Sequence, residues 1–255
     1  MKVSIITATY NSAAYIATCL ASVNKQTYRD IEHIVIDGAS TDCTLSIIKE
    51  SGKRITKIIS EPDKGIYDAL NKGIQNACGD LIAFLHADDA YASETTIEEI
   101  VACFSKRDIC GVYGDLVFID HSNRMVRKWK SSTIKLQNVK TGWMFPHPTL
   151  VLRKDVYEQF GFFDPSFHIS GDYDFMLRIM LKPECKLHYL SKIVVVMRLG
   201  GASTDGVVSM KSKFKEDIKA IRKNGLKFPF VVVLLKKIRK IPQLFVNICK
   251  QEVSW

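Results

Sequence analysis

The chain has 255 residues, 47% of them hydrophobic and 25% charged, with a formal net charge of +9. That length sustains one sizeable core, and so ordinary a composition excludes a disordered chain. The charge is lopsided: residues 207–255 hold twelve of the 36 Lys and Arg but only three of the 27 Asp and Glu, which leaves a neutral body and a basic tail.

Residues 2–9 form a short apolar, β-branched run that reads as a buried strand. Asn11 or Ser12 can cap the segment that follows, where Ala14, Ile16, Leu20 and Val23 have helical spacing. Residues 31–36 predict a second strand closed by Asp37 and Gly38, and Ser40, Thr41 and Asp42 supply cap chemistry for a helix through Lys49. A third strand is expected over 55–60, a helix from Gly65 to about Ala77, and a fourth strand over 80–85 ending at Asp88 and Asp89. Such alternation predicts βαβ units and a parallel sheet. After a helix over 93–104 the regularity weakens. Strands over 111–119 and 125–129, joined by a turn at His121, Ser122 and Asn123, predict a mixed or antiparallel part. A helix over 172–181 and a strand over 192–198 complete the body.

From Lys211 to Lys250, Lys and Arg alternate with aliphatic and aromatic residues, interrupted by Gly225, Pro229 and Pro242. This basic amphipathic pattern suits either an anionic membrane surface or packing on the catalytic body or a second subunit. The charge shift places a boundary near residue 206, dividing 1–206 from 207–255. Seven scattered cysteines (Cys19, Cys43, Cys78, Cys103, Cys110, Cys185, Cys249) contain no C-x-x-C pair and read as free thiols in a reducing compartment. No stretch approaches the roughly 18–20 apolar residues that span a bilayer, and the N-terminal apolar run is too short for a signal peptide. The protein is expected to be cytoplasmic.

Ligands of open α/β sheets bind beyond the carboxyl ends of the strands. Polar residues gather at three such ends: Thr9, Tyr10 and Asn11; Asp37 and Gly38; Asp88 and Asp89. Each alone serves as well for a turn or a cap. Adjacent carboxylates repel unless solvated or bound to a cation, and Mg2+ or Mn2+ accepts one or two of them together with phosphate oxygens. A nucleotide-diphosphate leaving group needs that arrangement.

Six further stretches join this pattern: S-I-I-T-A-T-Y-N at 4–11, I-D-G-A-S-T-D at 36–42, S-E-P-D-K-G-I-Y-D-A-L-N-K-G at 60–73, F-L-H-A-D-D at 84–89, F-P-H-P-T at 145–149 and I-S-G-D-Y-D-F at 169–175, with R-L-G-G-A-S at 198–203 closing the series. In their order and spacing the chain resembles glycosyltransferase family 2, in particular the branch serving bacterial polysaccharide, O-antigen and colanic-acid-type biosynthesis. The resemblance covers about four-fifths of the chain and omits the basic tail. It implies a GT-A fold, with a Rossmann-like nucleotide-binding half and a mixed central sheet, extended here by basic helices. It also implies an inverting transfer of one sugar from a nucleotide-diphosphate donor, UDP-linked, to the hydroxyl of a saccharide or lipid-linked saccharide.

Residue by residue, the resemblance sets Thr9, Tyr10 and Asp37 against base and ribose, and Lys64 and Asp68 over the nucleotide. The family's D-x-D motif falls on His86, Ala87 and Asp88, which makes Asp88 the metal ligand for Mn2+ or Mg2+. His86 replaces the first Asp, and it serves either as a local hydrogen-bonding residue or as a contact to the donor. Asp172 matches the second position of an E-D motif and becomes the base that takes the acceptor's proton; Gly171 stands where Glu is usual. Asp89, His147, Gly171 and Arg198 are expected at the donor and acceptor pocket, with His147 equally readable as a rigid loop residue and the segment after Arg198 as either a lid or a plain turn. The alternatives are a non-catalytic nucleotide-sugar binder and a sugar-1-phosphate nucleotidyltransferase. The latter needs a Gly-rich basic loop after the first strand, where this chain has Ala8 to Ser12 without Gly or Lys. Absence of a Q-x-x-R-W signature favours single-sugar transfer, and basic residues interleaved with aliphatics argue against a nucleic-acid partner.

Overall fold

The computed structural model describes residues 1–199, 207–240 and 243. Strands β1 (Val3–Thr9), β2 (Ile31–Asp37), β3 (Ile55–Ser60) and β4 (Leu81–Phe84) run parallel in the order β3-β2-β1-β4. They are linked by α1 (Ile16–Asn24), α2 (Thr44–Ser51) and α3 (Ile66–Asn76). Alternate residues of β1 feed two different cores: Val3 and Ile5 pack on the side of α1, Ile6 and Ala8 on the side of α3. Burial on both faces explains why β1 and β4 read as largely apolar runs, whereas β3, at the sheet edge, is mostly exposed.

Beyond β4 the sheet turns mixed, as expected. It continues through β8 (Val151–Arg153), β6 (Gly111–Ile119), β9 (Leu187–Arg198) and β5 (Asp89–Tyr91). Strand β8 is antiparallel to both β4 and β6, β9 runs parallel to β6, and β7 (Met125–Trp129) pairs with the far end of β6. Helices α4 (Thr96–Lys106), α5 (Leu136–Lys140), α6 (Lys154–Phe160) and α7 (Gly171–Met180) cover it. Three-residue strands such as β5 and β8 carry too little periodicity to be predicted, and β9 begins five residues before the expected strand, at Leu187. The fourth strand itself ends at Phe84, so Asp88 lies in a turn and Asp89 opens β5.

The basic segment contributes α8 (Val207–Lys223) and α9 (Pro229–Ile238). Ile218, Ala220, Ile221, Val232 and Val233 are buried in the same cluster as α3 and α7, so both helices pack on the body. Among the described residues no helix is long and apolar enough to cross a membrane. Six cysteines are free thiols; Cys249 lies outside the described residues.

His33 on β2 is buried, with Nε2 2.9 Å from the Thr7 hydroxyl and Nδ1 without a partner. Burial pulls its pKa down to about 4. A histidine neutral in the fold takes up its proton first in the unfolded chain, so its contribution to stability is present above pH 6.5 and is lost as pH falls towards 4. Acidification from pH 7 to 5 is expected to cost about 2 kcal/mol through this residue. His33→Gln should flatten that limb of a Tm-against-pH curve; an unchanged slope would refute the assignment.

Candidate active site

The crevice lies beyond the carboxyl ends of β1, β2 and β4, where β1 has β2 on one side and β4 on the other. At one end stand Thr9, Tyr10 and Asp37. Thr9 is buried with its hydroxyl unpartnered, while the Tyr10 side chain is 61% exposed, unusual for so large an aromatic. Asp37 is fully buried and already engaged: its carboxylate accepts from Ser40 N at 3.0 Å, from Ser60 Oγ at 2.6 Å and from Ser40 Oγ. Asp63 closes in on Gly38 so tightly that a Cβ there would lie 2.6 Å from its Oδ2.

The segment over 63–68 is tied to the start of α3. Asp63 accepts from Gly65 N, whose φ of +111° is open to glycine, and Asp68 accepts from Lys64 N at 3.1 Å while pairing with Lys72 at 3.5 Å. Asp68 therefore holds the helix start, while the Lys64 side chain is exposed.

On the other side of the crevice four expected residues come together. His86 lies within electrostatic reach of both Asp88 and Asp172, whose charges oppose the burial that lowers its pKa. The His147 ring stands 6.3 Å from that of His86 and 5.9 Å from both Phe84 and Phe163, with both ring nitrogens unpartnered. Burial pulls the pKa of His147 down to about 4, against the pull of Asp172 and with a small push from His86, which makes it a neutral imidazole at pH 7.

Asp172 sits in the first turn of α7, where a negative charge is favoured by the helix N-terminus. Its Oδ1 receives the Tyr67 hydroxyl at 3.3 Å, a proton shared with the Ile169 carbonyl at 2.7 Å. Burial and the neighbouring Asp172 charge keep this phenol protonated. The same ring explains the departure at 171: a Cβ on Gly171 would lie 2.7 Å from Tyr67 Cε2. Tyr67 is in turn stacked on Phe163 at 5.7 Å. Gly171→Ala is expected to lower stability by about 1–3 kcal/mol through overpacking and to slow turnover by shifting the Tyr67 hydroxyl. Part of the lost Tm should return when Tyr67→Leu is added; a wild-type Tm in the single variant would count against the clash.

Two expected pocket residues are placed otherwise. Asp89 is 1% exposed with both carboxylate oxygens unpartnered, and burial followed by the Asp88 charge drives its pKa well up. It is thus set beneath the surface of the site rather than on it. Arg198 is held by the Asp120 carbonyl at 3.2 Å and Asn123 Oδ1 at 3.0 Å, with its guanidinium over Tyr15. The expected lid over 200–203 lies outside the described residues.

The loop entering α7 is gripped from α8. Glu216 accepts from the backbone N–H of His168, Ile169 and Ser170 at 2.8–3.0 Å, and Asp217 accepts from Ser170 Oγ at 2.9 Å. Lys236 of α9 pairs with Asp217 at 3.0 Å, both side chains buried, with its ammonium 3.3 Å from the Tyr173 ring centre. Tyr67, Glu216, Asp217 and Lys236 escape a reading of the sequence, although glycine at 171 was a hint that something large occupied the neighbouring space.

A metal of the kind expected here needs one or two carboxylates and completes its shell with phosphate and water. Asp88 fits: it is half-buried beside His86, and among the described residues its carboxylate pairs with no other side chain. No cluster of three or more His, Cys, Asp or Glu among the described residues would hold a metal alone, so the shell would depend on the donor.

The family model described as "Glycosyl transferase family 2" matches residues 4–161. The chain belongs to glycosyl transferase family 2. A relative, the "PGL/p-HBAD biosynthesis glycosyltransferase" of Mycobacterium tuberculosis, is 27% identical over 243 residues, which cover 93% of this chain and 91% of that protein. Among solved structures, S. aureus TarS 1-349 in complex with UDP superposes with a TM-score of 0.70 at 18% identity, over 97% of this chain and 74% of that one. The chain spans 45% of the longer TarS chain, at a TM-score of 0.69 and 20% identity. The mannosyltransferase PcManGT from Pyrobaculum calidifontis in complex with GDP-Man and Mn2+ matches with a TM-score of 0.66 at 19% identity, over 92% of this chain and 68% of that one. The fold of this family-2 enzyme is therefore GT-A, with C-terminal helices added.

Proposed function

We propose that this glycosyltransferase moves one sugar, with inversion, from a UDP-linked donor held with Mn2+ or Mg2+ to the hydroxyl of a saccharide acceptor. The observation that carries the reading is the single imidazole, His86, flanked by Asp88 and Asp172 within one crevice. Asp88 would hold the cation, which supplies neutralising charge for the departing diphosphate. Asp172, oriented by Tyr67, takes the acceptor proton from the opposite side. The neutral His147 and the two flanking phenylalanines keep water from that face. Thr9, Tyr10 and Lys64 are the groups free to meet the nucleotide, with Asp37 shaping the wall behind them.

Complexes of TarS with UDP and UDP-GlcNAc, and of PcManGT with GDP-Man and Mn2+, support a metal-bound nucleotide-sugar donor. The acceptor we favour is lipid-linked, in cell-surface polysaccharide assembly of the O-antigen type. Residues 1–206 form the transfer domain and 207–255 its extension, working at the cytoplasmic face of a membrane. Exposed Phe230, Val231, Leu234 and Ile238 on α9, with exposed Phe228 just before it, set among lysines, support that placement.

Thermal stabilisation tests the donor half. At a hundred times its Kd a donor should add about 2.7 kcal/mol, roughly 5–10 °C in Tm for a chain of this size. Asp88→Asn should abolish the metal-dependent part of the shift. If no nucleotide sugar raised the Tm with Mn2+ present, the reading would fail.

A further inference from the structure

Beyond the crevice, β7, the loop after α5 and the end of α9 enclose a cavity of about 400 Å³. Five cations (Lys128, Lys130, Lys236, Arg239, Lys240) and two indoles (Trp129, Trp143) line it, and among the described residues no carboxylate does. Gly142 brings the walls together: at φ +84°, a Cβ there would lie 2.6 Å from the Val232 carbonyl and 2.9 Å from Lys236 N.

Among the described residues, the wall carries more positive charge than carboxylates compensate. Lys236 is matched by Asp217, but among the described residues no carboxylate pairs with Lys128, Lys130, Arg239 or Lys240. The Lys240 ammonium lies 5.1 Å from the Trp129 ring centre, and the Arg127 guanidinium reaches the same ring at 5.7 Å. Burial first, then the charges of Lys236, Lys213 and Arg127, pull the pKa of Lys240 down to about 7, against Asp217 alone. Lys128 and Lys240 are half-buried and Lys130 and Arg239 exposed, and like charges gathered on one wall favour an anionic ligand. Arg239 offers a planar fork, at present bonded to Thr141 Oγ1 at 2.8 Å, and the lysines offer point charges.

The cavity is linked to Asp172 through Lys236, which lines it. Lys236 feels the Asp172 charge and stands over Tyr173, the next residue of α7. One loop carries Trp143 into the cavity and His147 into the active site.

We propose that this cavity binds a phosphate or diphosphate ester of the acceptor, placing the sugar to be extended beside Asp172; the inference rests on the transferase reading above. The anion meets Lys128, Arg239 and Lys240, and the indole faces of Trp129 and Trp143 take the adjoining apolar surface. The volume falls within the range of small-molecule sites and suits a diphosphate with its first attached group.

The test is a fluorescence titration of the whole protein with inorganic pyrophosphate in EDTA, read on the emission of its three tryptophans, with Trp129→Phe and Trp143→Phe assigning the signal to the cavity. Saturable quenching is expected, weakened at least tenfold in Lys240→Gln and in Lys128→Gln, and unchanged in Asp88→Asn. Geranyl diphosphate and glycerol 3-phosphate form two further arms. Tighter binding of the prenyl ester identifies a lipid-linked source, and equal or tighter binding of the glycerol ester a water-soluble phosphorylated acceptor. Absence of saturation, full affinity in Lys240→Gln, or loss of binding in Asp88→Asn would overturn the proposal. A flat titration with the Mn2+-dependent donor shift intact removes only this site; a missing donor shift removes the transferase reading.

Discussion

Asp172→Asn is expected to slow sugar transfer by about 10²–10⁴-fold while leaving donor affinity nearly unchanged. The amide keeps the size of the carboxylate and can still accept the Tyr67 hydroxyl, so the packing around Gly171 survives. What it loses is the ability to take the acceptor's proton. Single-turnover transfer measures the first effect, and the donor-induced Tm shift measures the second. Turnover at the wild-type rate would end the assignment of Asp172 as the base, and loss of the donor shift would move Asp172 into the donor site.

The largest effect on stability is expected from Asp217→Ala, at about 3–5 kcal/mol, or roughly 10 °C or more in Tm. Lys236 would then be a buried ammonium without its carboxylate, facing only the Tyr173 ring. Replacing both partners by apolar residues, as in Asp217→Leu with Lys236→Met, should recover most of the loss, because the cost lies in an uncompensated charge and not in missing volume. Thermal denaturation of both variants decides it. A loss under about 1 kcal/mol in Asp217→Ala would show that the pair is hydrated and weak. Because Ser170 loses its acceptor in the same variant, kcat should fall more than KM rises.

These two expectations differ in how far they could be read from the chain alone. Strands β1, β2 and β4 were legible as mostly apolar runs followed by polar residues, and β3, a more exposed strand at the sheet edge, by its isoleucines. Asp88, Asp172, His86 and His147 were legible as members of motifs, and the structure brings them to one crevice. Motif membership cannot report what already satisfies a side chain. Asp68 is occupied with the start of α3, Arg198 with the β6–β7 turn, and Asp89 is buried in a short strand too brief to be foreseen. The pairing of Tyr67 with Gly171 depends on chain crossings that no local spacing encodes. Likewise, a basic amphipathic segment announces its apolar stripe, through Ile218 and Ile221, but not that Glu216 and Asp217 beside them are turned inward onto α7.

The grip of Glu216 on the loop over 168–170 also bears on how the protein is made. Synthesis runs from the amino end, and domains fold as their parts emerge. In a nascent chain the strands β1 to β4 emerge first, Asp172 follows, and the brace on its loop emerges after both. Until α8 has cleared the ribosome, the loop that carries Asp172 lacks the carboxylate that holds its backbone.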